Sequence, residues 1–260
     1  MANPTLPLCF AVLLAGPLLA QSPEGHIARG DSLNDLFMPG DALEEYKSAI
    51  LLEPRDYGAL WRAARSQVDV AKLLLGDTDV IKRARDSAYA IARDFAVRAV
   101  EFAPNEADGH FTLALALGQL SRTRGGKERV RFGREIYDEA ARSLELDPDH
   151  DGAHHILGAW HAEVKRLSGL TRFLAKTFMG GGFMDRANWD SSVVHLERAV
   201  ELRPSYIHHR LELAEVYIDL KRFDEARAQL ELIPGLRQSD VLDDRHRERA
   251  AQLRTEITAR

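Results

Sequence analysis

One short motif recurs four times in this chain: an apolar residue, any residue, and then proline, each time at the end of a helix-like run. The four copies are Leu52-Glu53-Pro54, Phe102-Ala103-Pro104, Leu146-Asp147-Pro148 and Leu202-Arg203-Pro204. A small residue follows each proline by ten positions: Ala64, Ala114, Gly158 and Ala214. Proline cannot continue the hydrogen-bond ladder of a helix, but it suits the first turn of a new one. The recurrence therefore predicts an internal repeat of helix, turn and helix, which is typical of an extended array.

The residues between the prolines follow a helical period. From Ile81 to Phe102 the apolar residues are spaced by three or four, and no useful length of the chain alternates with period two. The position five residues before each proline is always small: Ala49, Ala99, Ser143 and Ala199. Small residues are expected where two helices approach closely, so the sequence predicts an all-α protein.

These positions resemble the tetratricopeptide repeat, whose unit of about 34 residues pairs two helices. In the first unit Gly30 and Ala42 occupy the two small slots and Pro54 closes the unit. Successive prolines are 50, 44 and 56 residues apart, which predicts elongated middle repeats. The resemblance implies a tetratricopeptide-like solenoid of helical hairpins over residues 21–260, with a capping helix at 240–258.

The segment from Lys165 to Asp190 is an unusually apolar insertion that contains Gly180-Gly181-Gly182. Together with the run from His154 to Trp160 and the stretch from Ala175 to Phe178, it resembles the regulator of microtubule dynamics family. That resemblance implies an all-helical scaffold with long repeats that acts through protein contacts, fixed to a membrane in some members by an amino-terminal segment. The insertion, residues 165–190, either folds back as core or lines a groove for a partner.

The amino-terminal end predicts a secretory signal. Residues 1–23 contain no charged side chain, and the apolar run from Leu6 to Ala20 is shorter than the roughly 20 residues that span a bilayer. We expect cleavage after Ala20 and export to the periplasm or the medium, where a protein has no access to microtubules. Because no basic residue precedes the apolar run, an uncleaved anchor at residues 6–20 is the alternative. A membrane is an expected partner only in that case. Cys9 is the only cysteine, so the mature chain would have no thiol.

The charge balance argues against nucleic acid as a partner, because 35 basic and 40 acidic residues give a net charge of −5. One segment is strongly basic, from Arg122 to Arg134, with Glu128 as its only acid. It is interpreted either as a solvated loop between helices or as a site for an acidic peptide, anionic lipid or phosphate.

No catalytic residues, metal ligands or cofactor are predicted. The sequence has no GxSxG elbow, no phosphate-binding loop, no HExxH motif and no cysteine outside the amino-terminal segment. The rival hypothesis is a metal-dependent hydrolase that uses His150, His154, His161 and Glu163. In the repeat register, however, His154 and His161 fall in slots where helices pack.

The repeat register also predicts a partner-binding surface, because the first helix of each unit lines the concave face of such an array. The positions seven residues after each proline are Trp61, Phe111, His155 and Leu211, and those eleven after are Arg65, Leu115, Ala159 and Glu215. The predicted partner-binding residues are Trp61, Arg65, Phe111, Leu115, His155, Glu215, Phe178 and Phe183. The predicted function is an exported, non-enzymatic scaffold that binds a protein or peptide on its concave face, and the alternative is a membrane-anchored organising protein.

Overall fold

The computed structural model describes residues 22–258, and all regular structure in that range is helical. The predicted signal at residues 1–20 lies outside the described part. The α-helices, in chain order, are α1 Pro23–Asp35, α2 Pro39–Leu52, α3 Tyr57–Leu73, α4 Asp79–Phe102, α5 Ala107–Ser121, α6 Gly126–Leu146, α7 Asp151–Arg166, α8 Gly169–Phe178, α9 Trp189–Leu202, α10 Ile207–Asp219, α11 Phe223–Leu232 and α12 Asp243–Thr258. Two short 3₁₀ helices cover Gly181–Arg186 and Ile233–Gly235.

The four proline motifs form the same junction. In each, the residue before the proline donates its backbone amide to the carbonyl four residues earlier, for example Glu53 to Ala49 at 2.8 Å and Arg203 to Ala199 at 3.0 Å. The next helix then begins three residues after the proline, so α3, α5, α7 and α10 all start in the same register. The predicted solenoid of helical hairpins is confirmed, and its middle units are long because α4 has 24 residues and α6 has 21.

Small residues set how closely the helices approach. The side chains of Ala49, Ala99, Ser143 and Ala199 are completely buried. At Gly158 on α7, an added Cβ would lie 2.5 Å from the Cγ atom of Leu196 on α9. Neighbouring helices of the array therefore pack with the backbone of one against a side chain of the other, and these positions have no room for a larger side chain.

The apolar insertion stands outside the hairpin order, because α7 packs directly on α9 while α8 and the 3₁₀ helix Gly181–Arg186 lie against α6. The insertion is divided between core and surface. Phe183 and Met184 are buried in the central core, whereas Phe178 is 70% exposed. Gly180, at φ +74°, supplies the left-handed turn that separates these two parts.

The last helix covers the end of the array. Ala250, Leu253 and Ile257 of α12 are buried in the carboxyl-terminal core, where they join residues of α10 and α11. This helix lies within the segment 240–258, for which the sequence predicted a cap.

Candidate functional site: the concave groove

The inner surface of the array forms a groove of about 530 Å³. Its walls come mainly from the helices that follow the four prolines, namely α3, α5, α7 and α10. Helix α6 adds Arg129, Val130, Gly133 and Ile136, and the insertion adds Thr171, Leu174, Ala175 and Met179. We call this cavity the concave groove. It is large enough for a few amino-acid side chains or a small molecule.

The groove crosses successive helices at different positions along their length. On α3 it is lined by Arg65, Asp69 and Lys72, which lie in the carboxyl-terminal half of that helix. On α10 it is lined by His208, His209 and Glu212, close to the amino-terminal end. The lining position therefore moves toward the start of the helix from α3 to α10, as the rotation between stacked repeats requires.

One end of the groove holds a buried network of charges. The Lys72 ammonium lies 2.8 Å from Asp69 Oδ1 and 3.5 Å from Asp240 Oδ2. Tyr206 donates its hydroxyl hydrogen to the same Asp240 oxygen at 2.7 Å. Because Lys72 lies on α3 and Asp240 in the segment before α12, this network connects two parts of the array that are far apart in sequence.

The network favours the charged forms of Asp240, Lys72 and Arg65. Burial disfavours the carboxylate of Asp240, but the Lys72 ammonium, the Leu242 amide and the Tyr206 hydroxyl together lower the pKa of Asp240 below its usual value. Burial likewise disfavours the charge of Lys72, yet Asp69 and Asp240 raise the pKa of Lys72. The same balance raises the pKa of Arg65, which faces Asp69, Tyr206, Asp151 and Asp240.

Histidines lie beside this network. His155 Nδ1 on α7 is 3.1 Å from His209 Nδ1 on α10, and His209 Nε2 is 2.9 Å from Asp151 Oδ2. Burial, with a smaller contribution from His209, lowers the pKa of His155 well below its usual value. Burial also lowers the pKa of His208. This part of the wall is therefore polar but largely neutral.

Other parts of the groove are apolar. Their lining residues share aliphatic or sulfur-containing side chains from α5, α6, α7 and the insertion: Leu115, Val130, Ile136, Ile156, Ala159, Leu167, Leu174 and Met179. Arg122, Arg124, Arg129 and Glu163 line the groove as well. The groove thus combines charged, aromatic and apolar groups, which suits a ligand that carries both charged and apolar groups.

The sequence model of the regulator of microtubule dynamics protein 1-3 family matches residues 27–258. The chain belongs to this family. Regulator of microtubule dynamics protein 3 of Rattus norvegicus is 26% identical over 179 residues, which cover 68% of this chain and 36% of that protein. Regulator of microtubule dynamics protein 1 of Mus musculus is 23% identical over 222 residues, which cover 85% of this chain and 71% of that protein. The chain thus spans little more than a third of the first of these relatives.

Solved structures place this family member among tetratricopeptide-repeat proteins by fold. A thermophilic tetratricopeptide-repeat protein of Thermus thermophilus superposes with a TM-score of 0.63 at 19% identity, covering 88% of this chain and 99% of that one. The PilF protein of Pseudomonas aeruginosa superposes with a TM-score of 0.52 at 12% identity, covering 91% and 90% of the two chains. These identities are low, so the two structures inform the fold alone.

In this regulator of microtubule dynamics family member, the groove brings together four of the eight predicted partner-binding residues: Arg65, Phe111, Leu115 and His155. The other four lie elsewhere. Trp61 packs with the amino-terminal core beneath the Arg62 guanidinium, which is 4.3 Å from its ring, and Glu215 pairs with Arg249 at 3.0 Å. Phe183 is a core residue and Phe178 is exposed. Partner binding by these residues stays a prediction.

The sequence analysis missed several groove residues of this family member. Asp69 and Lys72 follow Arg65 by four and seven positions, so extending the helical stripe from Arg65 would have found both. Asp240 lies after the last repeat and has no counterpart in the register, so no sequence signal pointed to it.

The residues of the rival metal-site hypothesis have separate partners. His150 Nδ1 accepts the Ala153 amide at 3.1 Å as the cap of α7, and His154 Nδ1 lies 2.9 Å from His195 Nδ1. His161 Nδ1 accepts the Asn188 amide at 3.4 Å, and Glu163 pairs with Arg166 at 3.1 Å. Within residues 22–258, no group of three or more His, Cys, Asp or Glu side chains could hold a metal ion.

The basic segment contributes Arg122, Arg124 and Arg129 to the lining of the concave groove. Arg124 pairs with Asp86 at 2.7 Å. Between residues 22 and 258, no helix is both long and apolar enough to cross a membrane.

Proposed function

We propose that this chain is a non-enzymatic scaffold that binds a segment of a protein partner in the concave groove. The observation that carries the proposal is the continuous wall that α3, α5, α7 and α10 build from four successive repeats. Repeat arrays use such concave surfaces to hold extended partners. The charged groups such as Lys72 and Asp240 and the apolar side chains such as Leu115 that line the groove favour a segment that carries both apolar and charged side chains.

Site-specific photocrosslinking in the native host tests this proposal. A photoreactive phenylalanine analogue at Leu115, in the groove wall, is expected to capture a partner. The same analogue at Leu51, whose side chain is 83% exposed on α2 and outside the groove, is the matched control. Adding Ala159→Arg, which fills the groove beside Leu115, is expected to abolish the crosslink. Equal capture from positions 51 and 115, or capture that Ala159→Arg leaves unchanged, would contradict groove binding.

We further propose that the mature protein is exported. Support comes from the uncharged residues 1–23 and the apolar run that ends at Ala20. The relatives are named as regulators of microtubule dynamics, and an exported chain would have a different partner. Mass spectrometry of protein from the native host decides this point: a chain that begins near Gln21 supports export, whereas an intact amino terminus in the membrane fraction supports the anchored alternative.

A further inference from the structure

The outward face of α8 exposes large apolar side chains. Leu170, Phe173 and Phe178 are 69%, 59% and 70% exposed. At about 100° per residue, the three side chains project within an arc of about 140° around the helix, and Ala175 is the one buried residue of α8. We call these three residues the α8 apolar face. They do not line the concave groove, but Leu174, which projects between Leu170 and Phe178, does, so the α8 apolar face adjoins the groove along one edge.

The α8 apolar face lies in a strongly basic surrounding. Residues 165–178 contain Lys165, Arg166, Arg172 and Lys176 and no acidic residue. The carboxyl-terminal end of α8 lies against the start of α6: Arg134 donates to the Gly180 carbonyl at 3.0 Å, and Met179 would lie 3.1 Å from a Cβ added at Gly126. The basic segment 122–134 is therefore adjacent to α8.

Acidic residues neutralise only part of this charge. Lys176 pairs with Asp185 at 2.6 Å and Arg124 with Asp86 at 2.7 Å. Arg166 is paired with three acids, Asp219 at 2.8 Å, Glu163 at 3.1 Å and Glu212 at 3.2 Å. Arg131 lies 3.6 Å from both Glu128 and Glu135. The segments 122–134 and 165–178 together hold ten basic residues and one acidic residue, in a chain whose net charge is −5. Basic residues therefore predominate in α8 and in the segment 122–134 that lies against its carboxyl-terminal end.

We propose that the α8 apolar face docks on an anionic lipid surface, with α8 lying parallel to the membrane. Leu170, Phe173 and Phe178 would enter the boundary between headgroups and acyl chains, to a depth of about 5–10 Å. The cations of α8 and of the start of α6 would contact the anionic headgroups. This function is additional to partner binding in the concave groove.

The charge pattern favours a lipid surface over a second copy of the chain. A symmetric dimer through the α8 apolar face would place two basic rims against each other, which like-charge repulsion disfavours. An anionic membrane supplies apolar depth and negative charge together. At ten residues, α8 is too short to span a bilayer, which needs about 20 residues, so an interfacial position is the one available to it.

An environment-sensitive fluorophore on α8 tests the proposal directly. In the full chain with Cys9→Ser, a label attached through Thr177→Cys sits at an exposed position beside the α8 apolar face. With vesicles of phosphatidylcholine and phosphatidylserine, we expect its emission to rise and shift to the blue, and high salt to weaken the response. A label attached through Val194→Cys, at a 62% exposed site on α9, is the control. If a segment other than α8 attaches the chain to the vesicles, the label on α8 should respond no more strongly than this one.

The double variant Leu170→Ser/Phe173→Ser, carrying the same label, is expected to need roughly tenfold more anionic lipid for half-maximal response. Leu51→Ser/Val80→Ser removes two apolar side chains of similar exposure elsewhere and should leave the response unchanged. Circular dichroism verifies that both variants fold.

Three results would overturn the proposal. The first is an unchanged signal from the Thr177→Cys label with anionic vesicles. The second is an equal response to pure phosphatidylcholine. The third is an oligomer, detected without lipid by analytical ultracentrifugation, that Leu170→Ser/Phe173→Ser dissociates, because the face would then be a contact between copies of the chain.

Discussion

At the scale of single residues, Gly158 shows how small side chains hold the repeats together. A Cβ at this position would lie 2.5 Å from Leu196 Cγ and 3.1 Å from the Ser192 carbonyl oxygen. Leu196 is completely buried and has no free space into which to move. We expect Gly158→Ala to lower the free energy of unfolding by about 1–3 kcal/mol, as measured by chemical denaturation.

Gly118 provides the matched control. It lies within α5, and a Cβ there would meet no atom within 4 Å. Since alanine loses less backbone entropy than glycine when a helix forms, Gly118→Ala should raise the free energy of unfolding by about 0.5–1 kcal/mol. The same substitution of glycine by alanine should thus change the free energy of unfolding in opposite directions at the two positions. A change of the same sign for both variants would contradict close packing at Gly158.

At the scale of helices, α7 faces α9 and α10 through pairs of histidines. His154 contacts His195 on α9, and His155 contacts His209 on α10. Burial, together with His154 and His161, lowers the pKa of His195 to about 4. Burial also lowers the pKa values of His154 and His155. These helix contacts therefore depend on neutral imidazoles.

The pH dependence of stability follows from these shifts. A histidine with a lowered folded pKa binds fewer protons than it does in the unfolded chain, so its contribution is lost as pH falls below the unfolded value of about 6.5. Each such group adds a slope of up to about 1.4 kcal/mol per pH unit. We expect the melting temperature to fall between pH 7.5 and pH 5, and His195→Gln to make that fall smaller.

His110 is the control of opposite sign. Its hydrogen bond to Glu139 raises the pKa of His110 against the effect of burial. Its contribution is therefore present at low pH and lost as pH rises through the folded pKa. His110→Gln should make the fall toward pH 5 steeper. A melting temperature independent of pH, or His195→Gln and His110→Gln changing the slope in the same direction, would count against neutral histidine contacts.

A structural feature could be predicted from the sequence where the chemistry of nearby residues alone determines it. The four junctions were predictable, because proline ends a helix by its own chemistry at Pro54, Pro104, Pro148 and Pro204. The division of the insertion was not, since Phe178 and Phe183 are equally apolar and only the fold decides which one is covered. The left-handed turn at Gly180 makes that division, and three consecutive glycines do not indicate which of them adopts it.

At the scale of the whole molecule, the concave groove was only partly predictable, because it depends on how each repeat rotates against the next. A fixed position in every unit located Phe111 and His155 in the middle units. The same position on α3 is Trp61, which packs against the amino-terminal core. Local sequence determines the hairpins, whereas the rotation between them follows from the packing of the complete array.

The contact between Lys72 and Asp240 joins α3 to the segment before α12, and both residues line the groove. The side chains of Lys72 and Asp240 are 15% and 7% exposed, so loss of one charge leaves the others buried without compensation. We expect Lys72→Met to lower the free energy of unfolding by about 3 kcal/mol. The double variant Lys72→Met/Asp240→Asn should cost less than the sum of the two single changes.

Lys47→Met is the matched control, because Lys47 also pairs with an acid three residues earlier, Glu44 at 2.9 Å, but on the exposed side of α2. Its cost should stay within about 0.5 kcal/mol. Hydrogen exchange shows whether the buried contact couples α3 to the segment before α12. In Lys72→Met, exchange should rise both at the end of α3 and in residues 239–243, which are distant in sequence. If exchange rises in α3 alone, Asp69 is the only partner that matters and the two segments are energetically independent.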